Sequence, residues 1–180
     1  TDEVTMNRRH FLGLALSAAV PPAFAKKQTS QPRILSLRHL HTDEKLRIAY
    51  RVGDRYQRDA LQKLSHFLRD FRSGESTVID PKLFDILYDV KERMGHPDGV
   101  FEVFSAFRSP GTNAMLRKTS RGVAKGSLHV SGRAVDIRLE GASLRKVRDS
   151  AVALHRGGVG YYPRSNFVHL DTGSVRRWGA

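Results

Sequence analysis

Apolar and polar residues alternate along the first part of the chain in a way that predicts paired strands. Leu46, Ile48 and Tyr50 are separated by single Arg or Ala residues, and a period of two places them on one face of a strand. A polar segment at 41–44 comes before this strand. We therefore predict two strands over 33–52, joined as a hairpin through the polar segment.

Apolar residues recur every three or four positions in three later segments, which predicts amphipathic helices. Asp80-Pro81 is a typical helix start, because aspartate caps the first turn and proline is tolerated at the first helical position. Glycine follows each of the three segments, as is typical of a helix end. The predicted helices cover 56–72, 81–94 and 143–155, with a shorter one at 112–119.

Short apolar runs at 100–106, 134–139, 159–162 and 167–171 predict further strands. The last two flank a Pro-Arg-Ser turn and are expected to pair as a hairpin. The strands come in hairpins rather than in strict alternation with helices. The pattern therefore predicts the α+β class, with a small antiparallel sheet and flanking helices.

The first 25 residues have the three parts of a secretory signal. Arg8-Arg9 precedes a short apolar run, and Ala23-Phe24-Ala25 offers small residues for cleavage. Paired arginines before Phe-Leu are typical of a twin-arginine signal, and an ordinary amphipathic helix is the alternative. The apolar run is well short of the ~20 residues that span a bilayer. We predict a twin-arginine-type signal peptide at 1–25, a flexible lead-in at 26–32 and a folded domain at 33–180, located in the periplasm or cell envelope without a stable membrane span.

The amino-acid composition limits the kinds of functional site and partner that the protein can have. The chain has 31 Lys and Arg against 18 Asp and Glu, a formal net charge of +13, and no cysteine. Without cysteine there is no disulfide, thiol nucleophile or thiolate ligand, so a transition metal must be bound by histidine and carboxylate. The positive charge favours an anionic partner, which for an exported protein is cell-wall polymer or the membrane surface. The sequence lacks the motifs of nucleic-acid-binding domains, and we predict no nucleic-acid partner.

Two of the predicted strands carry polar side chains on the face opposite their apolar residues. On 134–139 that face includes Asp136, and on 167–171 it includes His169. If the strands are neighbours on one core, these two side chains emerge together, and His129 in the preceding loop can close on them. Two imidazoles and one carboxylate are typical of a catalytic zinc site with an open fourth position. Ordinary hydrogen-bonding histidines are the alternative.

The segment 127–136 fits the motif S-x-H-x-x-G-x-A-x-D, with Ser127 first and Asp136 last, and a Val-His pair follows on the later strand. This pattern resembles the zinc metallopeptidases of the LAS group, which includes D-Ala-D-Ala carboxypeptidases and phage cell-wall endopeptidases. The likeness extends over nearly the whole predicted domain to the murein endopeptidase branch of the group. It implies the LAS or hedgehog-like fold, and one Zn²⁺ per chain bound by His129, Asp136 and His169.

A second segment, Ser105-Ala106-Phe107-Arg108-Ser109, resembles the S-G-Y-R-S segment of the same group. The resemblance implies that Arg108 binds substrate and polarises the scissile carbonyl, since fixed positive charge stabilises a developing oxyanion. A structural salt bridge is the alternative for this arginine. Ser127 either orients the site by hydrogen bonds or is a turn residue. Tyr161 and Tyr162 adjoin the last strand, and Tyr162 is the candidate to line a substrate groove.

One position departs from the group. Many members carry a carboxylate three residues before the last metal-binding histidine, where this chain has Asn166, and an amide takes no proton at neutral pH. Asp171 shares a strand face with His169 and is the candidate catalytic carboxylate. It is either the general base or a partner that orients an imidazole.

These features predict an exported zinc endopeptidase that hydrolyses the peptide cross-links of peptidoglycan. A D,D- or L,D-carboxypeptidase that trims stem peptides uses the same chemistry and is the alternative. A non-catalytic peptidoglycan-binding module is a further alternative, because Asn166 replaces the expected carboxylate.

Overall fold

A computed structural model describes residues 31–120 and 123–179, and the strands within them form one sheet. The predicted signal peptide at 1–25 lies outside the described residues, as does most of the lead-in at 26–32. The strands are β1 (Pro32–His39), β2 (Lys45–Val52), β3 (Arg55–Tyr56), β4 (Val100–Ser105), β5 (Ala134–Leu139), β6 (Gly158–Tyr162), β7 (Phe167–Asp171) and β8 (Arg176–Trp178). Their order across the sheet is β3-β2-β1-β4-β5-β7-β6-β8.

The same residues contain four α-helices: α1 (Arg58–Phe67), α2 (Pro81–Arg93), α3 (Pro110–Thr119) and α4 (Leu144–Ala153). α2 begins as predicted, because the Asp80 side chain accepts a hydrogen bond from the Lys82 amide and Pro81 occupies the first position. α1 is shorter than the predicted 56–72, since Tyr56 belongs to β3 and the Leu68 carbonyl accepts a hydrogen bond from the Phe107 amide. None of these described helices has the length and apolar character needed to cross a membrane.

Two predicted hairpins are confirmed by the strand pairing. β1 pairs antiparallel with β2, and β6 pairs antiparallel with β7. Between them, β5 lies against both β4 and β7 in antiparallel register. The two strands predicted to carry the polar site residues are therefore direct neighbours.

Most neighbouring strands pair antiparallel, as predicted, but the sheet is larger than predicted and is mixed. The sheet has eight strands, and within it β1 runs parallel to β4 and β6 runs parallel to β8. The chain between β1 and β4 contains α1 and α2, and such a long crossover allows a strand to return in the same direction. β8 has three residues, too few for an alternating pattern to predict it. The fold is a mixed α/β arrangement with one open sheet.

The hydrophobic core fixes the side of the sheet on which the site lies. Val135, Ile137, Val168 and Leu170 are fully buried, and they pack in one cluster with apolar residues of α2 and α4. Burying such a side chain contributes about 1.5–3 kcal/mol, so a one-residue slip of either strand is strongly disfavoured. Because side chains alternate, the residues between these positions emerge on the opposite face.

Candidate metal centre

Three candidate ligand atoms lie in a small triangle on that opposite face. His129 Nε2 is 3.3 Å from Asp136 Oδ1 and 3.1 Å from His169 Nδ1, and the third side, from His169 Nδ1 to Asp136 Oδ1, is 2.9 Å. Tetrahedral zinc with bonds of about 2.0–2.1 Å places its ligands about 3.3 Å apart. The three side chains therefore fit a zinc ion with little movement, as a donor set that could hold a metal.

The triangle is assembled from two paired strands and one turn. Asp136 on β5 is the register partner of His169 on β7, so the antiparallel ladder places the two side chains together. His129 lies in a short 3-10 turn, Leu128–Ser131, that ends at Gly132 with φ of 66°. A Cβ on Gly132 would lie 2.5 Å from the Val78 carbonyl oxygen, so this turn requires glycine for both conformation and space.

Both imidazoles have their other ring nitrogen bound to an acceptor. His129 Nδ1 lies 2.6 Å from the Ala106 carbonyl oxygen, and His169 Nε2 lies 3.0 Å from Asp171 Oδ2. Since a carbonyl and a carboxylate only accept, these nitrogens carry the hydrogens. When the two imidazoles are neutral, the lone pairs of His129 Nε2 and His169 Nδ1 are thereby directed into the triangle, as in most histidine metal ligands.

Burial and charge set the protonation of the three groups. Burial lowers the pKa of His129, which favours the neutral imidazole. Burial alone would raise the pKa of Asp136, but the charges and hydrogen bonds of His129 and His169 hold it far below its usual range. Burial also opposes the charged form of His169, but hydrogen bonds to Asp136 and Asp171 raise its pKa overall. Because a proton competes with a metal for an imidazole nitrogen, metal binding at these histidines is expected to weaken at acid pH.

Arg108 forms one side of the site. Its Nη2 donates to Asp136 Oδ2 at 2.7 Å and lies 3.3 Å from His129 Nε2, while its Nε donates to Ser105 Oγ at 2.9 Å. The side chain is mostly buried but reaches the cleft. Arg108 thus makes the salt bridge of one predicted alternative, and its side chain also lines the cleft, as the substrate-binding alternative requires.

Asp70, which the sequence analysis did not single out, holds the segment that carries Arg108. This carboxylate is buried, and it accepts hydrogen bonds from the backbone amides of Ser109 at 2.9 Å and Arg72 at 3.0 Å. Burial alone would raise its pKa, but hydrogen bonds from Thr112, Ser109 and Arg72 lower the pKa of Asp70 to about 2. Asp70 therefore links the loop after α1 to the start of α3, next to the metal centre.

We expect Asp70→Asn to destabilise the fold in a pH-dependent way. The folded pKa of about 2 lies below the ordinary value of 3.8, so the ionised group contributes stability above pH 4 and loses it as the pH falls towards 2. The contribution is about 2 kcal/mol. Urea unfolding from pH 6 to pH 2 should show the difference from wild type shrinking over that interval. The exposed control Asp98→Asn should show no such trend, and a pH-independent difference for Asp70→Asn would contradict the assignment.

Asp171 contacts Nε2 of His169, the ring nitrogen that faces away from the triangle of donor atoms. It is fully buried, and besides His169 it accepts hydrogen bonds from the amides of Gly158 and Gly173, at 2.9 and 2.8 Å, and from the Arg176 guanidinium. Burial alone would raise the pKa of Asp171, but these bonds hold it far below its usual range. A carboxylate so fully bonded is a weak proton acceptor. The contacts match the predicted alternative in which Asp171 orients an imidazole.

The triangle opens onto a cleft of about 500 Å³. Ser127 lines it, and its Oγ accepts a 3.4 Å hydrogen bond from the His129 amide, so it serves the turn that holds this histidine. Asn166 does not line the cleft, because it is an exposed residue with φ of 57° at the turn between β6 and β7. Among the described residues that line the cleft, only Asp136 and Asp171 have carboxylates.

Tyr162 and two residues of β8 form the wall of the cleft beside His169. Tyr162 lines the cleft as predicted, whereas Tyr161 is half-buried against the core. Trp178 also lines the cleft, with its ring centroid 5.2 Å from that of His169. Arg176 also lines it, and its guanidinium lies 4.9 Å from the Trp178 ring. Both residues belong to β8, the strand that the sequence did not reveal.

Two histidines and one carboxylate at the base of an open cleft define the class of site found in metallopeptidases. Residues 27–178 match the family model Peptidase_M15_2, described as "Peptidoglycan L,D-endopeptidase MepK". Peptidoglycan L,D-endopeptidase MepK of Escherichia coli (strain K12) is 47% identical over 182 residues, covering 98% of this chain and 100% of that protein. The probable peptidoglycan L,D-endopeptidase MepK of Haemophilus influenzae is 42% identical over 180 residues, with 97% of each covered. The chain belongs to the Peptidase_M15_2 family, which confirms the resemblance to the murein endopeptidase branch.

Proposed function

We propose that this chain is a zinc-dependent peptidoglycan endopeptidase that hydrolyses peptide cross-links of murein, with the LAS-type fold in residues 33–180. The observation that carries the proposal is the triangle of His129, Asp136 and His169 donors, with sides of 2.9–3.3 Å, at the base of the cleft. The family supplies the substrate class, since its relatives are named for cleavage of L,D bonds in peptidoglycan. We propose that this chain also cleaves L,D bonds in peptidoglycan.

The three ligands would hold one Zn²⁺ per chain. A zinc ion with three protein ligands supplies Lewis acidity and activates water at neutral pH. The protein's contribution is to fix the ligands: the Ala106 carbonyl holds the His129 ring, and Asp171 holds the His169 ring. Such outer partners typically change metal affinity or activity 10–100-fold when removed. In this proposal Asp171 acts through His169 rather than on substrate.

Arg108 would bind the scissile carbonyl and stabilise the negative charge that develops on its oxygen. Its guanidinium is anchored at Asp136 and Ser105, so it needs little reorganisation during the reaction. Ser127 would keep the His129 turn in place, and Tyr162 would contact the peptide from the wall of the cleft.

Peptidoglycan as substrate places the enzyme outside the cytoplasmic membrane. We propose that residues 1–25 are a twin-arginine-type signal peptide and that the protein works in the periplasm. The net charge of +13 favours association with anionic wall polymer. No nucleic-acid partner is needed to account for this charge.

The decisive experiment digests purified peptidoglycan sacculi and defined cross-linked muropeptides with wild type, His129→Ala and His66→Ala. His66 is an exposed histidine on α1 and serves as the matched control. We expect wild type and His66→Ala to release monomers from cross-linked dimers, and His129→Ala to release none. A chelator should abolish wild-type activity, and added Zn²⁺ should restore it.

The products separate the alternatives. Release of a terminal D-alanine with dimers left intact would identify a carboxypeptidase. Binding to sacculi with no product from wild type would identify a binding module. Activity that survives both His129→Ala and chelation would refute the metal centre.

A further inference from the structure

The hydroxyl of Tyr162 has a defined hydrogen-bonding direction. The Trp178 indole Nε1 lies 2.8 Å from the Tyr162 hydroxyl oxygen. An indole N–H only donates, so the tyrosine oxygen is the acceptor in this bond. The hydroxyl hydrogen of Tyr162 is thus left to donate to another group.

The Tyr162 side chain lines the cleft, and neighbouring rings hold it in place. Within residues 31–120 and 123–179, the hydrogen bond found at this hydroxyl is the one that it accepts from Trp178. The Tyr162 ring is stacked on Phe167 with centroids 4.7 Å apart, which limits its rotation. The Trp178 ring in turn lies beside His169, one of the proposed zinc ligands. The unused donor is therefore held in the same cleft as the metal triangle.

The position of Trp178 is itself set by the sheet. β8 pairs in parallel with β6, and Gly160 is the register partner of Trp178. A Cβ on Gly160 would lie 2.7 Å from the indole ring, so the indole occupies the space that a side chain would fill. The Arg176 guanidinium packs against the same indole. The indole N–H is thus a fixed donor rather than a mobile one.

We propose that Trp178 is a positioning residue that orients Tyr162 to donate a hydrogen bond to an acceptor oxygen of the bound peptide. This inference rests on the proposed function, since it places a peptide substrate in the cleft. Carbonyl and carboxylate oxygens of the stem peptide share the required chemistry. Both only accept hydrogen bonds, which matches the donor that the tyrosine presents.

The test compares kcat and KM on a defined cross-linked peptide for wild type, Tyr162→Phe, Trp178→Phe and the control Tyr161→Phe. Loss of one hydrogen bond to substrate lowers kcat/KM by about 10-fold, which we expect for Tyr162→Phe with zinc content unchanged. Trp178→Phe should cause a smaller loss, and Tyr161→Phe none. Tyr162→Phe retains the ring stacked on Phe167, so it carries the test even if Trp178→Phe lowers stability.

The double variant separates positioning from simple packing. If Trp178 acts through Tyr162, the change in kcat/KM caused by Trp178→Phe should vanish when Tyr162 is already Phe. Additive effects, or a Tyr162→Phe enzyme as efficient as wild type, would overturn the inference while wild-type activity leaves the proposed function intact. Wild type that cleaves nothing refutes the proposed function instead.

A second substrate identifies the acceptor. When the stem carboxylates are amidated, a tyrosine bound to a carboxylate should lose part of its advantage over phenylalanine, because an amide oxygen accepts a weaker hydrogen bond than a charged carboxylate. A tyrosine bound to a peptide carbonyl should keep the full difference. Either result supports the donor role and assigns its acceptor.

Discussion

Asp136→Asn is expected to abolish both zinc binding and endopeptidase activity. The carboxylate is a corner of the donor triangle and accepts the 2.7 Å hydrogen bond from Arg108, so the neutral amide removes a ligand charge and weakens the anchor of the arginine. Loss of the metal's contribution of several kcal/mol lowers turnover by about 1,000-fold or more. Zinc per chain, measured by elemental analysis, and monomer release from cross-linked muropeptides should fall together.

The matched control for this change is Asp149→Asn, which alters an exposed carboxylate on α4 by the same substitution. It should keep full zinc content and activity. An Asp136→Asn protein with one zinc per chain and ordinary turnover would show that the metal is bound elsewhere. A folded Asp136→Asn protein, verified by circular dichroism, attributes the loss to the site rather than to the fold.

Of the variants considered, Gly157→Ala is expected to cause the largest loss in the free energy of unfolding. Gly157 has φ of 72°, and a Cβ there would lie 1.7 Å from the Asp171 carbonyl oxygen, which is itself backbone and cannot rotate away. Left-handed strain of about 1–2 kcal/mol and overpacking of about 1–3 kcal/mol together predict a loss of about 2–5 kcal/mol in the free energy of unfolding. Urea denaturation measures it directly.

Gly141→Ala separates the contribution of backbone strain from that of overpacking. Gly141 has nearly the same φ, 70°, but no atom within 4 Å of the added Cβ. It should therefore show the conformational strain alone, about 1–2 kcal/mol. Equal losses for the two variants would show that the close approach to Asp171 adds nothing. Because the backbone displaced at Gly157 belongs to Asp171, Gly157→Ala should also weaken zinc binding, whereas Gly141→Ala should not.

The sequence alone predicts that Asp136 and His169 lie on the face opposite the core, because side chains alternate between the two faces of a strand. On β5 and β7, buried residues at Val135, Ile137 and Val168 leave Asp136 and His169 on the opposite face. Alternation alone fixes that separation of faces. The structure adds the register that makes the two residues direct partners, which no local pattern specifies.

Other parts of the site depend on contacts between distant segments. Asp70 acts on Ser109, 39 residues later, and nothing near Asp70 in the sequence indicates that role. Trp178 reaches the cleft because its three-residue strand pairs in parallel with β6. A parallel pair has no hairpin turn, so the sequence near Trp178 does not indicate the strand. The sequence does not decide whether Asp171 is a general base or orients an imidazole. That choice depends on the four donors around the carboxylate and on its burial.

The partners of the two imidazoles bear on how the protein acquires its ion. The Ala106 carbonyl and Asp171 hold the rings through hydrogen bonds to the ring nitrogens that face away from the donor triangle. Small zinc domains, in contrast, depend on their metal to fold. Because protein atoms orient both rings, loss of the ion would stop hydrolysis and leave the fold in place. The supply of zinc would then control the activity of an enzyme that is already folded.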